Sequence, residues 1–379
     1  MRGRAVSWIA PARVLTALAS LGSAEAATLR VPADHAAIQP ALDAASAGDS
    51  VLVAPGTYTG AGNRDLSFGG KDLVLLSEAG PEVTTIDVGG SSGEPHRGIL
   101  FAGDETASAV LEGFTIVNGF MSTVDGGPNL LVESARHDLS GAGIMIRLFS
   151  SPTVRNCVIR FCHSEFTGGG MGVELGSTAR IENCVIEACT ATIQGGGISI
   201  ETAAEPTFVD CVVTGNRSKN GGGMHIGSPA TLLGCTVAGN TSDRGGGLDV
   251  IFPSHATIER CVIWGNCASG RGGDVFVDPQ VGSSGGISFT CSAVDTSGVD
   301  DEASVAGFAG GNVFTDPLFC EPADCQSAPA ADGNYNLQEG SPCRAENSPC
   351  GQQIGSLGPG CQTAVDESSW GRIKSLYRR

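Results

Sequence analysis

Aromatic side chains are scarce in this chain of 379 residues: 5% in all, with three Trp and three Tyr. Outside the two ends, Trp264 is the only Trp, and Tyr58 and Tyr335 the only Tyr, so exposed stacking platforms for a polysaccharide are few. Charge is also sparse, at 16%, and basic charge is in deficit. Lys and Arg number 22 against 40 Asp and Glu, a formal charge of −18. Nucleic-acid binding needs a basic face and is excluded on that ground. Anchoring of the chain's body on anionic lipid is excluded likewise. No Cys-x-x-Cys pair occurs among the 14 cysteines, so no zinc pattern is present and no metal site is expected. No apolar run approaches the roughly 20 residues of a membrane-spanning helix.

What is present begins with a leader. Arg2, Arg4 and Arg13 make a basic start, Val14–Leu21 a short apolar stretch, and Ala24-Glu25-Ala26 a small-residue cleavage site. Residues 1–26 therefore read as a secretory signal peptide. Export agrees with the cysteine count, since disulfides persist in oxidising compartments. The expected location is secreted or cell-surface.

Glycine, with 56 residues, is the dominant signal, and it is periodic. Clusters recur at Gly141–Gly143, Gly168–Gly170, Gly195–Gly197, Gly221–Gly223, Gly245–Gly247 and Gly272-Gly273. Between them stand Cys157, Cys184, Cys211, Cys235, Cys261 and Cys291. Five residues after each of the first five stands Cys162, Cys189, Asn216, Asn240 or Asn266. The intervening segments alternate apolar and polar over three to five residues, as in Ile198-Ser199-Ile200-Glu201, which is strand rather than helix periodicity. A unit this short cannot bury its own apolar side, whereas stacked units bury it continuously.

The predicted fold is all-β: a parallel β-helix in which equivalent residues lie one above another, about 4.8 Å apart. Glycines would supply tight corners, and Asn216, Asn240 and Asn266 a side-chain ladder in left-handed turns. The cysteines Cys157, Cys184, Cys211, Cys235 and Cys261 would stack as thiols or as bonded pairs; the sequence leaves both open. Asn216 and Asn240 also begin glycosylation sequons, but their register argues for a structural role. Ala36–Ala47 has helical spacing and would cap the first turn. Residues 28–313 thus form the β-helix. Residues 314–362 form a Cys-rich, loop-rich cap expected to close the last turn. Residues 363–379 form a basic amphipathic tail around Trp370, Ile373, Leu376 and Tyr377.

Leu29–Gly60, Gly80–Asp87 (GPEVTTID), Leu111–Gly119 (LEGFTIVNG) and the Gly/Cys/Asn repeats resemble secreted right-handed parallel β-helix proteins of the pectin-lyase-like superfamily. The repeats are also similar to those of polymorphic outer-membrane proteins. This resemblance implies a right-handed coil. It implies no single activity, because the superfamily hosts lyases, hydrolases, esterases, epimerases and adhesins. The motifs of its polygalacturonase-like members are missing: there is no Gly-His-Gly and no Asn-Thr-Asp. Arg372-Ile373-Lys374 matches their Arg-Ile-Lys but lies in the tail.

Between the inward apolar residues that follow each glycine cluster, two outward columns are expected to face solvent. The first runs Met145, Gly172, Ser199, His225, Asp249, and the second Arg147, Glu174, Glu201, Gly227, Ile251. Ser199, His225 and Asp249 would be neighbours. Glu174 and Glu201 would stand about 5 Å apart, the separation of a retaining glycosidase pair, with Arg147 as counter-ion. The insertion Met121–Ser140 adds Glu133, Arg136, His137 and Asp138 as loop residues for binding. The expected function is an exported binding or structural β-helix protein, monomeric, with a carbohydrate or another surface protein as partner. The alternative is a lyase or hydrolase of acidic polysaccharide working on the outward columns. No cofactor is implied; calcium stays open as a bridge to a polyanion.

Overall fold

The structure is a computed structural model and describes residues 26–122, 139–251, 254–278, 286–301 and 306–361. The leader, the loop residues Glu133, Arg136, His137 and Asp138, and the basic tail lie outside the described residues.

Strands of two to five residues coil into three long parallel sheets of eleven, nine and nine strands. The first sheet runs from Thr28–Val31 to Ala306–Phe308, the second from Gly56–Thr59 to Ala293–Val294, and the third from Leu66–Ser67 to Val299–Asp301. Registers are strict through the repeats: Ile181 pairs with Phe208, Ile186 with Val213 and Ile198 with Met224. Every second side chain therefore points inward and stacks, and one continuous apolar core runs from Val31 to Val294. The helix Ile38–Ala44 buries Ile38, Ala41 and Leu42 against the first turn, as its spacing predicts. Lys71 closes its C-terminal end by donating to the carbonyls of Leu42, Asp43 and Ala45. That end carries orphan carbonyls and negative dipole, which a cation satisfies.

The glycine clusters form the approach to the third sheet. In Gly221–Gly223 the first residue has φ +65°, a conformation that costs other residues a steric clash. A Cβ on Gly222 would meet the carbonyl oxygen of Gly246, one turn away, at 2.6 Å, and also that of Thr241. Adjacent turns can lie this close only without side chains.

The asparagine ladder is present, but its geometry differs from the expectation. Left-handed φ falls on the residue before each ladder position: Ala188, Gly215, Gly239 and Gly265. The asparagines turn inward and are buried. Asn216 Nδ2 donates to Asn240 Oδ1 at 3.0 Å, Asn240 Nδ2 to Asn266 Oδ1 at 2.9 Å, and Asn266 Nδ2 to Asp274 Oδ1 at 2.8 Å. Each Oδ1 also accepts the backbone N–H of the preceding ladder residue. Both sequon asparagines are thus fully engaged in the interior.

The stacked cysteines Cys157, Cys184, Cys211, Cys235 and Cys261 are all free and buried. Each thiol bonds to the carbonyl two residues back, as Cys184 does to Glu182 at 3.2 Å. Cys291 does not continue the column. Its place is taken by Ser292, whose Oγ accepts the N–H of Cys261. Cys291 is the left-handed corner residue instead, with φ 49°, and it is disulfide-bonded to Cys350.

The C-terminal cap folds back on the coil, held by disulfides. At the last turn its Phe314 meets Phe308 edge to face, but most of it lies along the outside of the second sheet. Val158, Val185, Val212, Ala238, Val262 and Ala293 on that outer face pack with Val313, Phe319, Tyr335, Leu337, Ile354 and Leu357 of the cap. The cap is too poor in apolar residues to build its own core, so it borrows the valine stripe of the sheet. Cys267–Cys325 and Cys291–Cys350 tie it to the coil, and Cys320–Cys361 closes it on itself.

Candidate functional site

The third sheet brings the predicted columns together. Met145 pairs with Gly172, Gly172 with Ser199, Ser199 with His225, and His225 with Asp249; Phe276 and Asp300 extend the row. The second column follows: the N–H groups of Glu174, Glu201, Gly227 and Ile251 bond to successive carbonyls of the preceding turn. Arg147 stands one turn before Glu174 in that column.

Their exposure contradicts the expectation. Met145, Ser199, His225 and Asp249 have 0% of their surface exposed and Glu174 has 1%, while Arg147 and Glu201 are half-buried. Part of the reason lies in the loops that lead into the sheet. Arg244 reaches back over the strand face, its Nε 3.0 Å from Asp249 Oδ1 and its guanidinium 4.7 Å above the Phe276 ring. Arg271 grips Asp300 with two bonds of 2.6 and 2.8 Å and lies 5.0 Å from the same ring. The two cations bracket the aromatic face, where the ring quadrupole attracts them. In this way they roof the lower part of the column. Further up, the Met145 sulfur lies over Gly172, where a Cβ would stand 2.8 Å from it.

Within the column the polar groups bind one another. His225 Nδ1 is 2.8 Å from Asp249 Oδ2. Ser199 Oγ donates to Glu201 Oε1 at 2.9 Å. The other ring nitrogen of His225, Nε2, has no hydrogen-bond partner among the described residues. An Asp–His pair with an open Nε2, one turn from a serine, has the chemical parts of a base and a nucleophile. The Ser199 hydroxyl, however, is spent on Glu201. Strand N–H groups in such a sheet are spent on the ladder and supply no oxyanion hole.

A second feature escaped the sequence reading. Beneath the cap, a cavity of about 280 Å³ is lined by Trp264, Phe319, Tyr335, Asp316, Asp324 and Gln338, among others. Trp264 occupies the outward second-sheet column that carries Thr214 and Ala238 in the preceding turns. A Trp replacing small residues in a repeat was the available signal, but its partners come from about 50 to 75 residues further along the chain.

Residues 95–241 match the family described as "Right handed beta helix region". No curated protein matches the sequence. Among solved structures, that of pectate lyase Pel9A is similar at 13% identity with a TM-score of 0.47, covering 85% of this chain and 90% of the other. The match over residues 95–241 and the parallel registers agree on the fold, a right-handed parallel β-helix, as expected from the sequence.

Proposed function

We propose that this is an exported binding β-helix protein that holds its ligand on its cap and loops rather than turning over substrate on the strand face. One observation carries the reading. Of the residues that would act on a substrate, Ser199, His225, Asp249 and Glu174 are closed off from solvent, and only Glu201 and Arg147 are half-buried. The polar partners of Ser199 and Asp249 lie within the fold. Three disulfides that lock the cap to the coil and to itself support an oxidising, extracytoplasmic setting. Among the described residues no helix is long and apolar enough to cross a membrane.

The test is turnover. Purified protein is incubated with a panel of neutral and acidic polysaccharides, with and without calcium. Reducing ends and unsaturated products are then measured. The expected result is no release on any member. Release that Glu201→Gln abolishes would overturn the reading. The second reading, a hydrolase or lyase of acidic polysaccharide, is favoured by the open Nε2 of His225 backed by Asp249. It requires that His225→Gln remove whatever activity is found.

A further inference from the structure

The cavity beneath the cap has a one-sided chemistry. Among the described residues its wall holds two carboxylates, Asp316 and Asp324, and no Lys, Arg or His. One oxygen of each is committed: Asp316 Oδ1 accepts the N–H of Leu318 at 2.8 Å, and Asp324 Oδ1 that of Gln326 at 3.0 Å. These bonds fix the two carboxylates and leave a second oxygen on each. Gln338 spends Nε2 on the Phe319 carbonyl at 2.7 Å, which leaves its amide oxygen as a third acceptor. Three aromatic residues share the wall, but Phe319 and Tyr335 are buried against the sheet, so Trp264 is the ring left accessible to a ligand. Phe319 and Tyr335 meet edge to face with centroids 5.3 Å apart, and Trp264 is half-buried. The frame is stiff, since Cys325 in the wall is bonded to Cys267 and Cys320, beside Phe319, to Cys361.

An accessible indole ring and two carboxylates, with no basic side chain among the described wall residues, favour one ligand class. Ring faces attract an ammonium group through their quadrupole, most strongly when it is partly desolvated. Carboxylates supply the counter-charge and, for a protonated amino sugar, also accept its N–H bonds. The formal charge of −18 adds long-range attraction for a cation. A small pocket with rigid rings and a few fixed polar groups is the usual form of a small-molecule site. A metal ion is less well served. Cys267 and Cys325 lie beside Asp324, but their sulfurs are bonded to each other and offer no thiolate.

We infer that the Trp264–Tyr335–Asp316–Asp324 cavity binds the ammonium group of a small ligand, either an amino sugar or a quaternary amine. This deepens the binding reading above and rests on it. The experiment is calorimetric titration of the whole protein with glucosamine, tetramethylammonium chloride, glucose and calcium chloride at constant ionic strength. At least one of the two ammonium probes should saturate a single site, and glucose should bind at least tenfold more weakly than that probe. Which probe binds tighter separates the two sources. Asp316→Asn with Asp324→Asn should weaken the ammonium probe tenfold or more. Asn keeps the acceptor for Leu318 and Gln326, so the cap stays folded, as an unchanged Tm would verify. Trp264→Leu should weaken it as well. Glucose binding as tightly as the tighter ammonium probe, preferential calcium uptake, or no saturable heat with either ammonium probe would each overturn the inference. None of these outcomes bears on polysaccharide turnover, so its failure is distinct from failure of the binding reading.

Discussion

At the scale of single residues, the ends of columns matter most. Asp274 terminates the asparagine ladder, accepting from both the N–H and the Nδ2 of Asn266. Burial raises its carboxyl from the ordinary 3.8 to about 7, against the pull of those two donors. Between about pH 4 and 7 the folded chain therefore holds a proton that the unfolded chain has released. Stability contributed by this group is full below pH 4, falls as pH rises through that window, and is flat above it. Tm measured from pH 4 to pH 8 should show that fall, and Asp274→Asn should remove it. Gly222 is a steric column end of another kind, sandwiched between carbonyls of Thr241 and Gly246. Gly222→Ala should cost about 3 kcal/mol, because two turns of backbone must separate to admit one methyl group. Urea unfolding would measure it, and Gly310→Ala, where a Cβ meets nothing within 4 Å, serves as the control.

At the scale of elements, two kinds of cysteine divide the work. The interior thiols fill the bend between the first and second sheets; the cap cysteines tether a lateral flap. Burial pushes the Cys157, Cys211 and Cys261 thiols up from their ordinary value, and Cys343 up to about 12. All eight free cysteines are buried, and thiols sealed from a reagent react slowly. A thiol reagent should therefore find none of the eight free cysteines in the native protein and all eight after unfolding without reductant. Rapid native reaction of even two would show that the column opens. This division was only partly visible in the sequence. Spacing placed Cys157 to Cys261 in one column, but Cys291 fits that spacing to within a few residues and faces the other way. A one-residue shift at a corner reverses the side on which a side chain falls.

For the whole molecule, the coil is nearly one-dimensional: each turn touches the turn before and the turn after. Its stability is then set by neighbours, and the turns with only one neighbour open first. Hydrogen exchange should leave the amides of Ile198–Ile200 and Val212–Thr214 protected longest and release Ala306–Phe308 earliest. Uniform protection from end to end would contradict the nearest-neighbour picture. The outer valine stripe is the exception to this simple geometry. It is covered along several turns at once by the cap, through contacts that join Thr236 to Ser356 across 120 residues.

The sequence by itself determined the coil, its register and the identity of the columns. Those follow from local period: a recurring Gly/Cys/Asn pattern has one way to stack, and residues two dozen apart are bound to be neighbours. Tertiary structure alone decided which columns meet solvent. Arg244 and Arg271 roof the lower part of the Ser199–His225–Asp249 face, and most of the cap lies along the second sheet rather than over the last turn. Such coverings depend on long-range approach of segments without a repeat, and no spacing along the chain encodes where they land. For the same reason Trp264, in the sequence only an isolated aromatic, became part of a cavity only when Asp316, Asp324 and Tyr335 were folded down beside it.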